Sequence, residues 1–212
     1  MPSKALEKYL SYYGGLNDHY LEVFKLLRSN YQIKKAMYPG SWIHLTPSLV
    51  FPYVAYVDSF SKLKYMLNDQ ELLDYINQNS EFSNKPVIKV HQMDFRGEIP
   101  EEKQSFDLLI SLNSGFVSQH CGIYLKKDGL LFANNEHYDA TKAFVSGNFM
   151  PVGVIVTNRK LIQQQKLIKE YFLTKKNELI TSEMVTENSK RSPSKAKYKL
   201  KKKAKFYLFT RL

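Results

Sequence analysis

The sequence predicts an α/β fold built on a mainly parallel sheet. Strand-like apolar segments alternate with helical segments five times over residues 34–157. One of these segments, Phe106 to Leu112, is almost unbroken in its apolar character, which is typical of a strand buried on both faces. A last apolar segment, Phe206–Thr210, is expected to pair antiparallel with the same sheet.

Two amphipathic helices are predicted before the first strand. Residues 5–13 carry apolar side chains at helical spacing, and Gly14-Gly15 stops that helix. Asn17 or Asp18 can cap the second helix. We therefore predict an N-terminal helical cap over residues 1–33. An α/β domain over residues 34–212 follows, with a basic insertion at about 177–204.

Residues 34–58 predict a strand, a tight turn at Gly40, a short helix and a second strand that ends on Asp58. Gly40 can adopt a positive φ or let a ligand approach the backbone. Thr46-Pro47 is typical of a helix start, with Thr at the N-cap and Pro at the first helical position. This order outlines half of a dinucleotide or cofactor site. It fits a βαβ crossover without a ligand equally well.

The later segments continue the same winding. A helix after Asp58 is expected to break near Asn68-Asp69, and residues 158–175 predict one amphipathic helix. Ligands bind outside the carboxyl ends of parallel strands, which meet at one rim of the sheet. Further strands are predicted at Val87–Met93, Leu130–Ala133 and Val152–Thr157. The predicted strand ends are Tyr38–Ser41, Asp58, Asp94, Leu112–Ser114 and Asn134–Glu136.

Composition indicates a protein with a real core and no disulfide. The chain has 212 residues, 43% of them hydrophobic, and its one cysteine, Cys121, is typical of a reducing compartment. No apolar run approaches the roughly 18 residues that span a bilayer. The first residues lack the apolar core of a signal peptide. A soluble, cytoplasmic protein without membrane contact is expected.

Positive charge is concentrated near the C-terminal end. Residues 185–212 contain ten Lys or Arg and one acid, Glu187, while the rest of the chain is nearly balanced. A basic run can follow nucleic-acid phosphates. Nucleic acid is therefore a candidate partner through Lys190 to Lys205. The alternative is a solvated loop that keeps the protein soluble.

The order of elements resembles the class I S-adenosylmethionine-dependent methyltransferases, a Rossmann-like, doubly wound family. The resemblance covers roughly residues 34–157, and the segments FDLLIS and KKDGLLFAN also look like this family. It implies S-adenosylmethionine as the cofactor. Carried over by position, it implies cofactor contacts at Tyr38, Pro39, Gly40, Ser41, Asp58, Ser59, Asp94, Phe95, Leu112 and Asn113.

Two acids have specific roles in that resemblance. In the family the second strand ends in an acid that binds the ribose hydroxyls, and the third ends in an Asp beside the adenine. The resemblance implies these roles for Asp58 and Asp94. A carboxylate suits a ribose diol because it can accept two charge-assisted hydrogen bonds. In the alternative interpretation, each acid is satisfied by the amides that follow it.

Two residues depart from the family pattern and keep two functions open. Tyr38 stands where the loop acid should be, and Trp42 stands where the second glycine should be. A Trp ring there would crowd the cofactor unless it turned away. One hypothesis is a methyltransferase of unidentified substrate, in which positioning supplies much of the catalysis. The other is a methyltransferase-like fold that has lost catalysis and serves as a binding or scaffold module.

Four residues are candidates for a substrate pocket: His44, Ser114, Glu136 and His137. His44 lies just past the glycine turn, so it could reach a ligand and act in acid–base chemistry. Its alternative role is a hydrogen-bonded turn histidine. No Cys/His cluster has the spacing of a zinc site. The sequence names no catalytic residue.

Overall fold

A computed structural model describes residues 2–82, 84–157, 159–191 and 195–212. Within these residues the strands are β1 Lys35–Pro39, β2 Tyr53–Val57, β3 Val87–His91, β4 Phe106–Ser111, β5 Leu125–Ala133, β6 Phe149–Ile155, β7 Leu161–Ile162 and β8 Phe206–Arg211. They form one mixed sheet in the order β3-β2-β1-β4-β5-β8-β6-β7. This order confirms the predicted Rossmann-like α/β fold with a terminal antiparallel strand.

The chain divides into two compact units, the first up to Leu108 and the second from Leu109. Each is described by itself below. The helical cap predicted over residues 1–33 and the domain predicted from residue 34 stay predictions. In the described part of the chain, no helix has the length and apolar character needed to cross a membrane.

The first unit opens with the predicted helical pair. Its helices are α1 Lys4–Tyr13, α2 Leu21–Asn30, α3 Pro47–Val50, α4 Leu63–Met66 and α5 Gln70–Asn79. The Ser3 hydroxyl accepts the Leu6 amide at 3.3 Å, and Gly14 ends α1 with a φ of 73°. Asp69 caps α5 by accepting the Leu72 amide. Helix formation after Asp58 is therefore interrupted near the predicted residues, between α4 and α5.

Parallel pairing aligns the ends of β1 and β2. The register places Met37 opposite Ala55 and Pro39 opposite Val57. Met37, Ala55 and Val57 are fully buried, which fits strands covered on both faces. The two strands therefore end side by side, and the residue after each strand lies at the same rim.

A buried carboxylate anchors the loop between β3 and β4. Glu101 has a side chain only 3% exposed and accepts hydrogen bonds from His91 Nε2 at 2.8 Å and Lys89 Nζ at 2.9 Å. Burial alone would raise the pKa of Glu101, but these two hydrogen bonds outweigh it and hold the pKa below its ordinary value. The loop is thus tied to β3 without a helix of its own.

In the second unit β8 lies between β5 and β6. It pairs antiparallel with both, with Leu131 opposite Phe209 and Val154 opposite Tyr207. The antiparallel strand predicted at Phe206–Thr210 is therefore confirmed. The helices of this unit are α6 Val117–Cys121, α7 Asp139–Val145, α8 Gln165–Lys169 and α9 Ser182–Ser189.

The single amphipathic helix predicted over residues 158–175 is wrong. Leu161–Ile162 instead forms β7, which pairs antiparallel with the end of β6. Only Gln165–Lys169 is α-helical, and a 3₁₀ turn follows at Glu170–Phe172. Arg159 has a φ of 61°, which reverses the chain and returns it to the sheet edge. Residue 158 lies outside the described residues.

Candidate functional site

The candidate site in the first unit begins where β1 and β2 end. Gly40 follows β1 with a φ of 65°, a left-handed conformation that favours glycine. Its amide donates to the Val57 carbonyl at 2.8 Å. The turn is therefore fastened to the last residue of β2, directly before Asp58.

Asp58 holds this turn with both of its oxygens. Oδ2 accepts the Trp42 amide at 2.7 Å, and Oδ1 accepts the Phe60 amide at 2.8 Å. The bond to Phe60 fits the alternative interpretation, in which a following amide satisfies the acid. A carboxylate has about four acceptor positions, however. Each oxygen of the half-buried Asp58 therefore keeps the capacity for one more donor.

Ser41 carries a buried hydroxyl without a hydrogen bond. The residue is 1% exposed, and its Oγ has no partner among the described residues. A buried polar atom without a partner costs about 1–3 kcal/mol, so such atoms are rare. Because Ser41 follows Gly40 directly, the unpaired hydroxyl lies in the same turn.

The Trp42 side chain is packed against α1. Trp42 has a φ of 48°, and its ring meets the Tyr12 ring edge-on at 4.7 Å between centroids. The Phe60 ring lies 6.1 Å away, and Lys8 Nζ lies 5.3 Å from the Trp42 centroid. Helix α1 and Phe60, two residues after Asp58, therefore fix where the indole lies.

His44 lies inside a buried hydrogen-bond network. Its Nε2 is 2.8 Å from Asp18 Oδ2, and its Nδ1 is 3.0 Å from the Tyr38 hydroxyl. The Thr46 hydroxyl donates its one proton to the same Asp18 oxygen at 2.5 Å. The Tyr9 hydroxyl, 3.0 Å from Thr46 Oγ1, therefore donates to Thr46. Thr46 occupies the predicted N-cap position of α3, yet its hydroxyl makes no capping bond.

Burial sets the protonation of this network. Burial lowers the pKa of His44, although Asp18 opposes the shift. Burial alone would raise the pKa of Asp18, but the hydrogen bonds from His44 and Thr46 outweigh it and keep that pKa below its ordinary value. A neutral His44 then donates through Nε2 and accepts from Tyr38 through Nδ1.

Both ring nitrogens of His44 are thus occupied within the protein, as its alternative role as a hydrogen-bonded turn histidine requires. Tyr38, which stands in the place of the family's loop acid, is 3% exposed and directs its hydroxyl to His44. Burial also raises the pKa of Tyr38 well above its ordinary value. No sequence pattern links Asp18 to His44, because only the fold brings these residues together.

Asp94 lies just beyond β3 and is paired with a neighbour. Its side chain is 46% exposed and meets the Arg96 guanidinium, with Nε 2.9 Å from Oδ1. Oδ1 also accepts the Arg96 amide at 2.9 Å. The Arg96 guanidinium and amide thus occupy acceptor positions of the carboxylate that an adenine-binding role would use. Phe95, between them, is half-buried, and Ser59 beside Asp58 is exposed.

In the second unit, two asparagines join the ends of β4 and β5. The Asn113 amide donates to Asn134 Oδ1 at 3.2 Å, and Asn134 Nδ2 donates to Asn113 Oδ1 at 2.6 Å. Asn113 has a φ of 58°. The Ser114 hydroxyl donates to the Leu112 carbonyl. This part of the rim is therefore rigid and polar.

The other two pocket candidates, Glu136 and His137, are exposed in the loop before α7. A residue that the sequence did not single out lies nearby in the chain. Asp139 is buried and accepts the Ser111 and Ser118 hydroxyls, each at 2.5 Å. Burial raises the pKa of Asp139. This carboxyl ties β4 to the first turns of α6 and α7.

No group of three or more His, Cys, Asp or Glu side chains that could hold a metal ion occurs in residues 2–82, 84–157, 159–191 and 195–212. The geometry described above therefore offers a carboxylate, a glycine turn and an unpaired hydroxyl at one rim. Such a set can bind a polar organic ligand through hydrogen bonds.

Comparison with known proteins finds only distant structural similarities. No protein-family model matches the chain, and no curated protein matches it. A methyltransferase from Geobacter sulfurreducens is 16% identical, with a TM-score of 0.46 over 71% of this chain and 81% of that one. A tRNA methyltransferase from Aquifex aeolicus is 10% identical, with a TM-score of 0.45 over 91% and 68%.

A branched-chain polyamine synthase mutein from Thermus thermophilus is 12% identical, with a TM-score of 0.49 over 100% of this chain and 64% of that one. That structure contains 5'-methylthioadenosine. Similarities at this level assign no activity. Its own strand order gives the chain the methyltransferase-like Rossmann fold that the sequence resemblance implied.

Proposed function

We propose that the chain binds S-adenosylmethionine at the ends of β1 and β2 and acts as a methyltransferase. The observation that carries the proposal is the Asp58 carboxylate, fixed beside the Gly40 turn with acceptor capacity left on each oxygen. In sheets of this order, ligands bind at the carboxyl end of the strand where the winding reverses, which here is β1.

The residues at this rim fit the cofactor in three ways. Asp58 would accept the two ribose hydroxyls, since a carboxylate matches a diol with charge-assisted bonds. Gly40 leaves its backbone open to close approach. The Ser41 hydroxyl would gain the partner that it lacks in the free protein. When bound, the cofactor supplies an electrophilic methyl group on a sulfonium, and the chain's contribution is to orient it.

The proposal is limited to the first unit. Pro39 and Ser59 flank the turn and the acid, whereas Asp94 enters the site only if a ligand competes with Arg96 for its carboxylate. The roles predicted for Leu112 and Asn113 stay predictions. So do the pocket roles of His44, Ser114, Glu136 and His137.

The alternative proposal is a catalytically inactive binding or scaffold protein, with nucleic acid as a partner of its basic segment. Tyr38 favours it, because a buried hydroxyl bonded to His44 replaces the expected acid. Trp42 also favours it, because a Trp replaces the second loop glycine of the family, although its ring packs against Tyr12 of α1. Under this alternative the rim would bind no S-adenosylmethionine.

Calorimetric titration separates the two functions. We expect S-adenosylmethionine and S-adenosylhomocysteine to bind the wild-type chain. Asp58→Ala should weaken both by roughly 10- to 100-fold, as expected for the loss of two charge-assisted hydrogen bonds. The control Asp74→Ala removes the same charge from α5, where the Asp74 carboxylate accepts the exposed Gln70 side-chain amide at 2.8 Å. It should bind like the wild type.

Because Asp58 also fastens the turn, thermal melting should accompany each titration. A variant that melts like the wild type and binds weakly supports a direct contact. Absence of binding by the wild type at millimolar cofactor would overturn the enzyme proposal and leave the scaffold alternative.

A further inference from the structure

The second unit holds almost all of the chain's excess positive charge. Residues 109–212 contain 19 Lys or Arg and 7 Asp or Glu, whereas residues 1–108 contain 12 and 13. Within the second unit the imbalance is largest after residue 158, where 16 basic residues face 4 acids. The charge therefore belongs to one part of the molecule and is no general property of its surface.

The backbone of the lysine-rich segment is fixed to the body of this unit by hydrogen bonds. The Lys175 amide donates to the Lys199 carbonyl at 2.9 Å, and the Lys201 amide donates to the Leu173 carbonyl at 2.8 Å. Leu200, between them, is 8% exposed. The segment thus adds a short antiparallel bridge to residues 173–175, with its apolar side chain turned inward.

A second set of contacts holds the segment where it leaves α9. The side chain of the buried Asn188 bonds the backbone of two successive residues. Its Oδ1 accepts the Lys197 amide at 2.8 Å, and its Nδ2 donates to the Tyr198 carbonyl at 3.1 Å. The Lys205 amide donates to the Ile155 carbonyl at 2.9 Å at the other end. Ser192, Pro193 and Ser194 lie outside the described residues.

This anchoring arranges the lysines in a row. Lys197, Lys199 and Lys201 are exposed, while Tyr198 is half-buried and Leu200 is buried. The exposed lysines of this segment are thus available to an anionic partner, while the residues between them are half-buried or buried.

The bridge also brings a second set of lysines beside the first. Lys175 and Lys176 lie in the turn that pairs with Lys199, and α8 adds Lys166 and Lys169. Two exposed ion pairs, Lys197 with Glu187 and Lys202 with Glu170, lie among them. Exposed pairs of this kind contribute little and exchange easily with another anion.

We infer that this lysine surface, formed by residues 166–176 and 195–205, binds the phosphate backbone of nucleic acid without regard to base sequence. Lysine is a point charge without the fork that reads base edges. Leu200 is buried, whereas Leu167 in α8 is 38% exposed, so a membrane surface is included in the test as the competing partner. The inference does not depend on the cofactor site, which belongs to the first unit.

The test measures binding of the full chain to a labelled duplex and a labelled single strand by fluorescence anisotropy at several salt concentrations. If about five lysines meet phosphates, the slope of log K against log salt is near −4 to −5 on duplex. Affinity then falls by roughly a few hundred-fold between 50 and 200 mM salt. Vesicles that contain phosphatidylserine serve as the competing probe.

A matched pair of variants locates the contact. Lys199→Gln, Lys201→Gln and Lys203→Gln together should make the duplex slope less steep by about 2.7 and weaken binding at least about 10-fold at low salt. The control replaces Lys4, Lys62 and Lys85, three exposed lysines of the first unit, and removes the same charge. Its slope should match the wild type.

Three results would overturn the inference: equal effects of both variants, no binding of either nucleic acid at 50 mM salt, or tighter binding to the vesicles than to the duplex. The lysine variant should also retain the wild-type cofactor titration. If the wild type binds no cofactor but binds nucleic acid, the proposed enzyme is overturned and the lysine surface stands.

Discussion

Replacing Asp18 with Ala should destabilise the protein by about 3–5 kcal/mol, because it breaks a buried charged network. The Asp18 carboxylate accepts His44 Nε2 at 2.8 Å, the Thr46 hydroxyl at 2.5 Å and the Tyr20 amide at 2.9 Å. Each buried donor left without a partner costs about 1–3 kcal/mol. The Thr46 hydroxyl can turn toward another acceptor, so the total loss of stability stays below the sum of the three largest costs.

Urea denaturation followed by tryptophan fluorescence measures this loss, because Trp42 is the only tryptophan and reports on the first unit. The control Asp69→Ala removes the cap of α5 and the acceptor of the Ser3 hydroxyl, and should cost about 1–2 kcal/mol. A loss below 1 kcal/mol for Asp18→Ala would refute the network as a source of stability, and so would equal losses in both variants.

Acidification adds a second test of the same network. The pKa of His44 is lowered on folding, so the unfolded chain binds a proton first and stability falls as the pH drops below about 6.5. The pKa of Asp18 is also lowered, so its contribution is present above its ordinary value and is lost as the pH falls through the folded value. Asp18→Ala removes the loss of stability that comes from protonating Asp18. It enlarges the loss that comes from protonating His44, because Asp18 raises the pKa of His44. A wild-type stability that rises from pH 7 to pH 5 would contradict this assignment.

Three further predictions concern single side chains. Ser41→Ala should raise the stability of the free protein by up to about 1 kcal/mol, since it removes an unpaired buried hydroxyl, yet weaken cofactor binding in calorimetry. Glu101→Ala should cost about 2–4 kcal/mol in urea denaturation, because Lys89 and His91 lose their shared acceptor, and a cost below 1 kcal/mol would argue against the anchor. Burial raises the pKa of Asp139, so its contribution to stability is lost as the pH rises through the folded value. Asp139→Asn should therefore gain stability relative to the wild type from pH 4 to pH 7, and a constant difference would count against the raised pKa.

Local backbone constraints explain why residues 34–58 were predicted almost residue by residue. Pro47 and Pro52 restrict φ and lack an amide donor, and Gly40 tolerates the positive φ of the turn, so these residues favour the turn and the two ends of α3. The structure has β1, α3 and β2 at the predicted places.

The sequence did not predict elements whose conformation depends on pairing with distant parts of the chain. Leu161 and Ile162 have helical spacing with later apolar residues, but the open edge of β6 offered them backbone partners. The Asp18–His44 pair and the unpaired Ser41 hydroxyl depend on contacts that form only after folding. The positions of Asp58 and Gly40 at strand ends were thus predictable, whereas the network behind them was not.

The position of β8 has a consequence for synthesis on the ribosome. Strands β5 and β6 emerge long before Phe206–Arg211, yet each pairs with that strand. Until it arrives, both present unpaired edges to other chains in the cell, which favours aggregation. The first unit can complete its β1–β2–β3 pairing during translation, whereas the second must wait. A chaperone that shields nascent strand edges would therefore act on the second unit.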